Sequence, residues 1–234
     1  MCGRFTISFV IGLYERFSAR APSFEIIPRY NIAPSQEVPV VVRAYPESPK
    51  NEIRLMKWGL LPSWVKDPSR FPKPINARAD TLAGKPMFCE LLKSQRCLVP
   101  ATGFYEWKKE RWGKTPYYIR MTDNSLFAFA GLFDRYRAPD GEEISTFSIV
   151  TTDPNTVVSP YHDRMPAILK REDEDRWLCP GPLSRDTVAD LLRSYPAGRM
   201  EAYPVGKKVN NANAEGEDLI RPVPSLDDRS WEST

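Results

Sequence analysis

The middle of the chain consists of short apolar runs rich in β-formers and separated by turn residues, as strands joined by hairpins are. Two such runs occupy residues 38–44 and 53–58, and five more follow closely at 96–100, 104–108, 116–121, 126–133 and 144–152. The segments at 112–114, 123–125 and 139–141 are rich in Gly, Asn, Asp and Pro, which is typical of hairpin turns. The pattern predicts a mainly antiparallel sheet that curls on itself.

Helical spacing of apolar residues occurs on both sides of this region. An amphipathic helix is predicted over about 7–19, with one face formed by Phe9, Val10, Leu13 and Phe17. Two further helices are predicted at 170–178 and 184–194. Residues 62–74 contain four prolines and are predicted to form a shaped surface loop. The predicted fold class is α+β, a single domain with a mainly antiparallel curled sheet or barrel-like core and flanking helices.

The composition is that of a protein with an ordinary hydrophobic core, and it removes several classes of function. The 234 residues are 41% hydrophobic and 12% aromatic, which argues against intrinsic disorder. One histidine and four cysteines without a C-x-x-C pair do not supply the usual zinc sites, so no metal or cofactor is expected. The cysteines are expected to be free thiols. The net charge of +3 permits an anionic partner without identifying one.

Targeting signals are weak. No apolar run approaches the roughly 18 residues of a membrane span, so no membrane partner is expected. Arg4 precedes an apolar stretch, and Ala19-Arg20-Ala21 resembles a signal-peptide cleavage site. Charged residues at 15, 16 and 20 argue against secretion and favour the amphipathic helix, which keeps Cys2 in the mature chain. A cytoplasmic location is therefore expected.

Cys2 is the first candidate for chemistry, because the common nucleotide-binding, zinc-protease and serine-hydrolase motifs are missing. Removal of Met1 would leave a 1,2-aminothiol. An α-amine titrates at about 7.7–8.0, so part of it can attack an aldehyde at neutral pH and form an imine. The thiol can then close a five-membered thiazolidine ring in an intramolecular step. Alternatively, Cys2 attacks an amide or ester through sulfur alone, or is an incidental residue near a terminus.

Three further candidates are ambiguous when each is taken singly. Glu106 lies in an aromatic strand, where an inward side chain would have a raised pKa suited to acid-base work, whereas strand alternation could turn it to solvent. His162 is either an acid-base group or a hydrogen-bonded structural residue. Asn76 and Arg78 lie on one side of an extended segment, where they either orient a reactive centre and bind a phosphate or stabilise a loop.

Seven ordered segments, taken together, resemble a known family. They begin at residues 1, 29, 58, 75, 96, 103 and 162 and read MCGRF, RYNIAP, WGLLPSW, INAR, RCLVPA, GFYEW and HDRMP. In this order they resemble the SRAP family (SOS response-associated peptidase) over residues 1–222, which leaves 223–234 as a C-terminal tail. Two positions depart from the family pattern. Tyr161 stands where a smaller aliphatic residue is usual, and Val65 follows Trp64, so a second aromatic is missing there.

The resemblance implies an abasic-site sensor that acts on single-stranded DNA in the DNA damage response. After loss of Met1, Cys2 would form a thiazolidine crosslink with the ring-opened abasic sugar. The same Schiff-base chemistry implies an associated lyase activity, and the peptidase label implies autocatalytic removal of Met1. The implied roles are positioning of the N-terminus and adduct for Asn76, proton transfer for Glu106, and sugar-ring opening and crosslink reversal for His162.

The DNA contacts implied by the resemblance involve one aromatic and four polar side chains, namely Arg4, Asn31, Trp64, Arg78 and Arg164. Trp64 would stack on bases or wedge between them. The expected partner is single-stranded DNA that contains abasic sites, bound by a monomer that is nucleoid-associated when on DNA. Two other functions stay open, a cysteine peptidase or amidase that acts on separate proteins through Cys2, and a non-covalent single-strand binding protein.

Overall fold

The computed structural model describes residues 2–44, 48, 50–111 and 113–224. Its strands are, in chain order, β1 (Phe5–Ile7), β2 (Ala19–Arg20), β3 (Arg29–Ile32), β4 (Glu37–Arg43), β5 (Asn51–Trp58), β6 (Asn76–Arg78), β7 (Arg96–Ala101), β8 (Gly103–Glu110), β9 (Gly113–Met121), β10 (Phe127–Arg137), β11 (Glu143–Thr152), β12 (Met165–Pro166), β13 (Ile168–Leu169) and β14 (Met200–Pro204). The α-helices are α1 (Leu13–Arg16), α2 (Pro86–Cys89), α3 (Leu91–Ser94), α4 (Glu174–Leu178) and α5 (Arg185–Leu191). Single 3₁₀ turns occupy Leu82–Gly84, Arg171–Asp173, Ala197–Arg199, Lys207–Asn210 and Glu217–Ile220.

A closed five-stranded barrel forms the centre of the molecule. Antiparallel pairing joins β11 to β10, β10 to β7, β7 to β4 and β4 to β5. Parallel pairing of β5 with β11, at Lys57 with Thr146 and at Trp58 with Phe147, closes the ring. Closure pairs the edges of the sheet, which an open sheet would expose. β6 pairs with β11 in parallel just beyond this junction, with Asn76 opposite Ile149.

A second sheet, in the order β14-β9-β8-β1-β3, packs against the barrel. Phe5 of β1 joins the two layers, because its ring meets Trp58 edge-on at 5.1 Å and Phe129 at 5.7 Å between centroids. The outer face of the second sheet is also covered, by a smaller cluster in which Tyr105 and Tyr118 are buried. Strand β8 is therefore enclosed on both faces over its first half.

The curled antiparallel sheet predicted from the sequence is confirmed. The helix predicted at 170–178 is present as a 3₁₀ turn followed by α4. The helix predicted at 184–194 is α5, capped by Ser184, whose Oγ accepts a hydrogen bond from the Thr187 N–H at 3.1 Å. Residues 62–74 form a loop without regular secondary structure, as predicted.

The amphipathic helix predicted over 7–19 is wrong. Phe5 and Ile7 belong to β1, which pairs with both β3 and β8. Gly12 has a φ of 74°, a left-handed conformation that interrupts a helix, so only α1 remains. Tertiary pairing thus overrides the local helical period at this end of the chain.

Two expectations reach residues outside the described part of the chain, the turn at Trp112 and most of the 223–234 tail. The boundary at 222 stays a prediction. None of the helices described is long and apolar enough to cross a membrane. The four cysteines are free thiols.

Candidate active site between the two sheets

Cys2 lies at the junction of the barrel and the second sheet and is completely buried. The Tyr105 N–H donates a hydrogen bond to the Arg4 carbonyl at 3.0 Å, and Phe5 pairs with Phe104. Because the pairing is antiparallel, continuing this register toward the N-terminus brings residues 2 and 3 beside Glu106. The pairing of β1 with β8 thus delivers the first residues of the chain into the interior.

Asn76 holds the backbone of Cys2. The Nδ2 of Asn76 donates a hydrogen bond to the Cys2 carbonyl oxygen at 3.0 Å. The Oδ1 of Asn76 is buried and accepts no hydrogen bond from the residues that the structure describes. A buried acceptor left unsatisfied costs about 1–3 kcal/mol, so this oxygen is suited to a donor that a ligand or the reacting terminus brings. The prediction of an extended segment at Asn76 and Arg78 is confirmed by β6.

Glu106 faces inward. Its side chain lies on the same face of β8 as Phe104, which packs in the main core, and the residue is only 4% exposed. Burial raises the pKa of this carboxyl to about 7. A group that titrates near neutral pH can both take up and release a proton there. The alternative of a solvent-facing glutamate is wrong, since both faces of β8 are covered at this point.

The surroundings of the Cys2 thiol disfavour the thiolate form. Burial raises the pKa of Cys2, and the negative charge of Glu106 raises it further. Activated cysteines instead have pKa values lowered by positive charges or a helix N-terminus. Cys2 is therefore held as a neutral thiol within reach of an acid-base carboxyl.

His162 lies in the connection between β11 and β12, and its side chain is 29% exposed. The Arg164 N–H donates to Nδ1 of His162 at 2.9 Å, so the neutral ring carries its proton on Nε2. Asp163 Oδ1 lies 2.7 Å from the same Nδ1, but that carboxylate is 87% exposed and its attraction is screened by solvent. Burial lowers the pKa of His162 below its usual value, which favours the neutral imidazole.

An aromatic contact fixes the His162 connection against the second sheet. The rings of Tyr161 and Tyr117 lie 4.4 Å apart between centroids, at an interplanar angle of 33°. Tyr117 is the residue of β9 directly opposite Glu106 in β8. The residue next to His162 therefore packs on the strand that pairs with the Glu106 strand.

Arg4 and Asn31, two of the predicted DNA contacts, form a buried network. Nη1 of Arg4 donates to Asn31 Oδ1 at 2.6 Å and to the Val209 carbonyl at 2.8 Å. The Asn31 amide nitrogen donates at 2.8 Å to the carbonyls of Asn211 and Ala214. Burial also lowers the pKa of Arg4. These bonds tie the Cys2 segment to β3 and to the 207–214 region.

Arg78 and Arg164 form an arginine cluster around Asp80. The Arg78 side chain is about half exposed, and its Nε and Nη2 donate to the two Asp80 oxygens at 3.1 and 2.7 Å. Arg164 is nearly buried and pairs with Asp153 at 2.8 Å, while its Nη2 lies 3.7 Å from Asp80 Oδ1. Arg78 is thus the more accessible of the two cations.

Trp64 lies in the 62–74 loop and is 62% exposed, with its ring edge-on to Phe71 at 5.8 Å. An exposed indole held by one neighbour is available for stacking. The structure thus brings Cys2, Asn76 and Glu106 together. The contact of Tyr161 with Tyr117 joins the His162 connection to β9, the strand that pairs with the Glu106 strand. The structure does not place Trp64 in direct contact with these residues.

Two participants were missed by reasoning from the sequence. Asp80 follows Arg78 by two residues, so alternation along an extended segment was an available signal. No sequence pattern indicates a role for Tyr117, because only the pairing register of β8 and β9 shows that it lies opposite Glu106. Among the described residues, no group of three or more His, Cys, Asp or Glu side chains could hold a metal ion.

Comparison with protein families supports the same grouping of segments. The model of the family described as SOS response associated peptidase (SRAP) matches residues 1–212. The chain belongs to the SRAP family. Its fold agrees, since a protein of Bacteroides thetaiotaomicron superposes with a TM-score of 0.85 at 32% identity, over 95% of this chain and 100% of that one.

Several SRAP relatives carry functional names. The chain is 41% identical to the abasic site processing protein YoqW of Bacillus subtilis, over 94% of this chain and 99% of the relative. It is 39% identical to YoaM of the same organism, also named an abasic site processing protein, over 94% and 97%. The abasic site processing protein HMCES of Gallus gallus is 33% identical over 84% of this chain and 66% of its own length.

Proposed function

We propose that this SRAP protein processes abasic sites in single-stranded DNA by covalent capture at Cys2, after Met1 has been removed. The observation that carries the proposal is the burial of Cys2 as a neutral thiol, with its carbonyl held by Asn76 and with Glu106 beside it. The names of the relatives support the same substrate.

The capture takes two bond-forming steps. The Cys2 amine attacks the C1′ aldehyde of the ring-opened sugar, and loss of water gives an imine. The thiol then adds to the imine carbon, and its proton passes to the nitrogen, which closes a thiazolidine ring. Glu106, with a pKa of about 7, takes the proton from the attacking amine and returns it to the departing hydroxyl.

The remaining candidates act on the substrate around this reaction. Asn76 holds the Cys2 backbone and offers its buried Oδ1 to the amine or the adduct. His162 assists sugar-ring opening and crosslink reversal. Arg78 and Arg164 bind the DNA backbone, and Trp64 stacks on a base. Arg4 and Asn31 contribute to the grip on DNA while they hold the Cys2 segment in place.

Lyase activity is proposed to begin from the same imine. Elimination of the 3′ phosphate from the imine would cleave the strand, whereas addition of the thiol consumes the imine and protects the strand. The protein is also proposed to remove its own Met1 autocatalytically, and the intact mass of purified protein would reveal the loss of one methionine. The monomeric state and the association with the nucleoid also stay predictions.

The electrostatics at Cys2 weigh against a peptidase that acts on separate proteins. A thiol nucleophile for amide cleavage needs a lowered pKa, and burial beside Glu106 raises that of Cys2. The amine-first route does not need a thiolate before the imine has formed. A non-covalent binding protein would not need Cys2 at all.

The test uses an oligonucleotide with one uracil, converted to an abasic site by uracil excision. Wild-type protein is expected to give a heat-stable, slower band on a denaturing gel, and Cys2→Ala is expected to give none. Cys89→Ala, which removes a partly exposed cysteine from α2, is the matched control and should crosslink like wild type. Cys2→Ser should give a band only after reduction with borohydride, because the imine forms but the ring cannot close through sulfur.

The outcomes separate the three functions. Absence of a band with wild-type protein that has lost Met1 would refute covalent capture. A band that persists in Cys2→Ala would place the bond on another residue. Equal retention of wild type and Cys2→Ala on a native gel, without any covalent band, would identify a non-covalent binder.

A further inference from the structure

A cleft of about 870 Å³ opens beside the Arg78–Asp80 pair and takes no part in the chemistry at Cys2. Its walls come from the segment that follows β6, the end of β11, and α5 with the residues after it. The charged part of the lining consists of the carboxylates Asp80 and Asp153 and the cations Lys85, Arg185 and Arg193. The apolar part of the lining includes Ala79, Ala83, Val188, Ala189 and Leu192.

The charges of the cleft favour an anionic occupant. Its two carboxylates are already paired, Asp80 with Arg78 and Asp153 with Arg164. In contrast, no ion pair within the described residues engages Lys85 or Arg185, and both are exposed. A lining that combines apolar residues with cations outside any ion pair matches the bases and phosphates of a single strand.

The cleft begins close to the Cys2 site along the chain. Asn76, which bonds to the Cys2 carbonyl, precedes Asp80 by four residues, and Arg78 lies between them. An extended chain advances about 3.3 Å per residue, so the cleft begins at most about 13 Å from Asn76. A stacked strand rises about 3.4 Å per nucleotide, which puts this entrance within about four nucleotides of the captured sugar.

We propose that this cleft binds nucleotides of the substrate strand on one side of the abasic site. The bases would pack on the apolar lining and the phosphates would pair with Lys85 and Arg185. Arg78 would contact the strand where it passes from Cys2 to the cleft. The proposal rests on covalent capture of abasic DNA and adds a subsite that determines how much flanking strand is needed.

The experiment measures the crosslinking rate on a series of oligonucleotides at limiting protein and low salt. The abasic site has one to eight nucleotides on its 5′ side with a constant 3′ side, and then the reverse. Wild type should react faster as one of the two sides lengthens, up to a plateau. Lys85→Glu/Arg185→Glu should remove this gain, about tenfold at the plateau, and should react like wild type on the shortest oligonucleotides.

The matched control is Arg20→Glu/Lys50→Glu. It reverses the charge of two exposed cations, Lys50 just before β5 and Arg20 in the neighbouring strand β2. This variant has the same change in net charge and should keep the dependence on flank length. Lys85→Ala/Arg185→Ala, with thermal unfolding of each protein, distinguishes loss of binding from loss of folding. Two outcomes for Lys85→Glu/Arg185→Glu would overturn the cleft proposal. In one, crosslinking slows to the same extent on every flank length; in the other, it does not slow on any length. Failure of wild type on all lengths would overturn covalent capture itself.

Discussion

Glu106 shows why single residues are hard to interpret from a pattern. Alternation along β8 predicts one buried face, and the aromatic residues around Glu106 fit either direction. The structure encloses both faces of the strand at this point, with the barrel on the side of Phe104 and the smaller cluster on the side of Tyr105. The carboxyl is buried because of a second layer that no local period reveals.

The burial of Glu106 has a measurable effect on stability. A carboxyl whose pKa is raised from 4.5 to about 7 by folding favours the folded state below pH 4.5 and loses that contribution as the pH rises to about 7. We therefore expect Glu106→Gln to gain stability relative to wild type between pH 5 and pH 8, by up to about 3 kcal/mol. Urea unfolding of both proteins at the two pH values measures this.

A matched control is Glu142→Gln, in the exposed hairpin turn between β10 and β11, which reports any general effect of removing a carboxylate. A difference between wild type and Glu106→Gln that is the same at pH 5 and pH 8 would contradict the raised pKa. The direction of the change is also a test. If Glu106 were stabilised as an anion, Glu106→Gln would lose stability relative to wild type between pH 5 and pH 8.

Elements differ in how far the sequence predicts them. The strands β7 to β11 each span six or more residues and are rich in apolar β-formers, so the sequence predicts them. The strand that holds Asn76 has three residues and follows a proline-rich loop, and it exists because β11 supplies a parallel partner. In the same way the motifs identify Cys2, Asn76, Glu106 and His162, but their contacts depend on pairings between distant segments.

The His162 connection is held by an aromatic contact with the second sheet. Tyr161 packs on Tyr117 at 4.4 Å between ring centroids, opposite the Glu106 strand. Tyr161→Ala should release the connection and slow crosslinking severalfold with little change in affinity for an unmodified oligonucleotide. Tyr161→Phe keeps the ring contact and should react like wild type.

Single-turnover crosslinking and equilibrium binding, measured on the same preparations, distinguish positioning from DNA contact. Loss of binding by both Tyr161 variants would indicate that the tyrosine contacts DNA through its hydroxyl. An unchanged rate in Tyr161→Ala would show that the ring contact does not position His162.

At the scale of the whole molecule, the candidate site lies where two separately paired sheets meet. The barrel supplies Asn76 through β6 and β11, while the second sheet supplies Glu106 and the segment that leads to Cys2. The sequence predicts a curled sheet, but the closure of the barrel by parallel pairing of β5 with β11 joins segments about 90 residues apart. Local patterns carry no information about that pairing.

Phe5 is where folding and chemistry are coupled most directly. Its buried ring contacts Trp58 and Phe129 of the barrel, and its backbone pairs with β8 only three residues after Cys2. We expect Phe5→Ala to lower the free energy of unfolding by about 3–5 kcal/mol, because a buried aromatic is replaced by a cavity between the layers. Phe71→Ala, in the 62–74 loop, should cost much less.

Urea unfolding followed by circular dichroism and by tryptophan fluorescence tests whether Phe5 joins the two layers into one cooperative unit. Coincident transitions at a lower urea concentration are expected, since loosening of β1 weakens both layers together. Separate transitions in the variant would show that the barrel is stable without the second sheet. In that case the crosslinking rate should fall at urea concentrations where the barrel is still folded, because the segment that carries Cys2 would be released first.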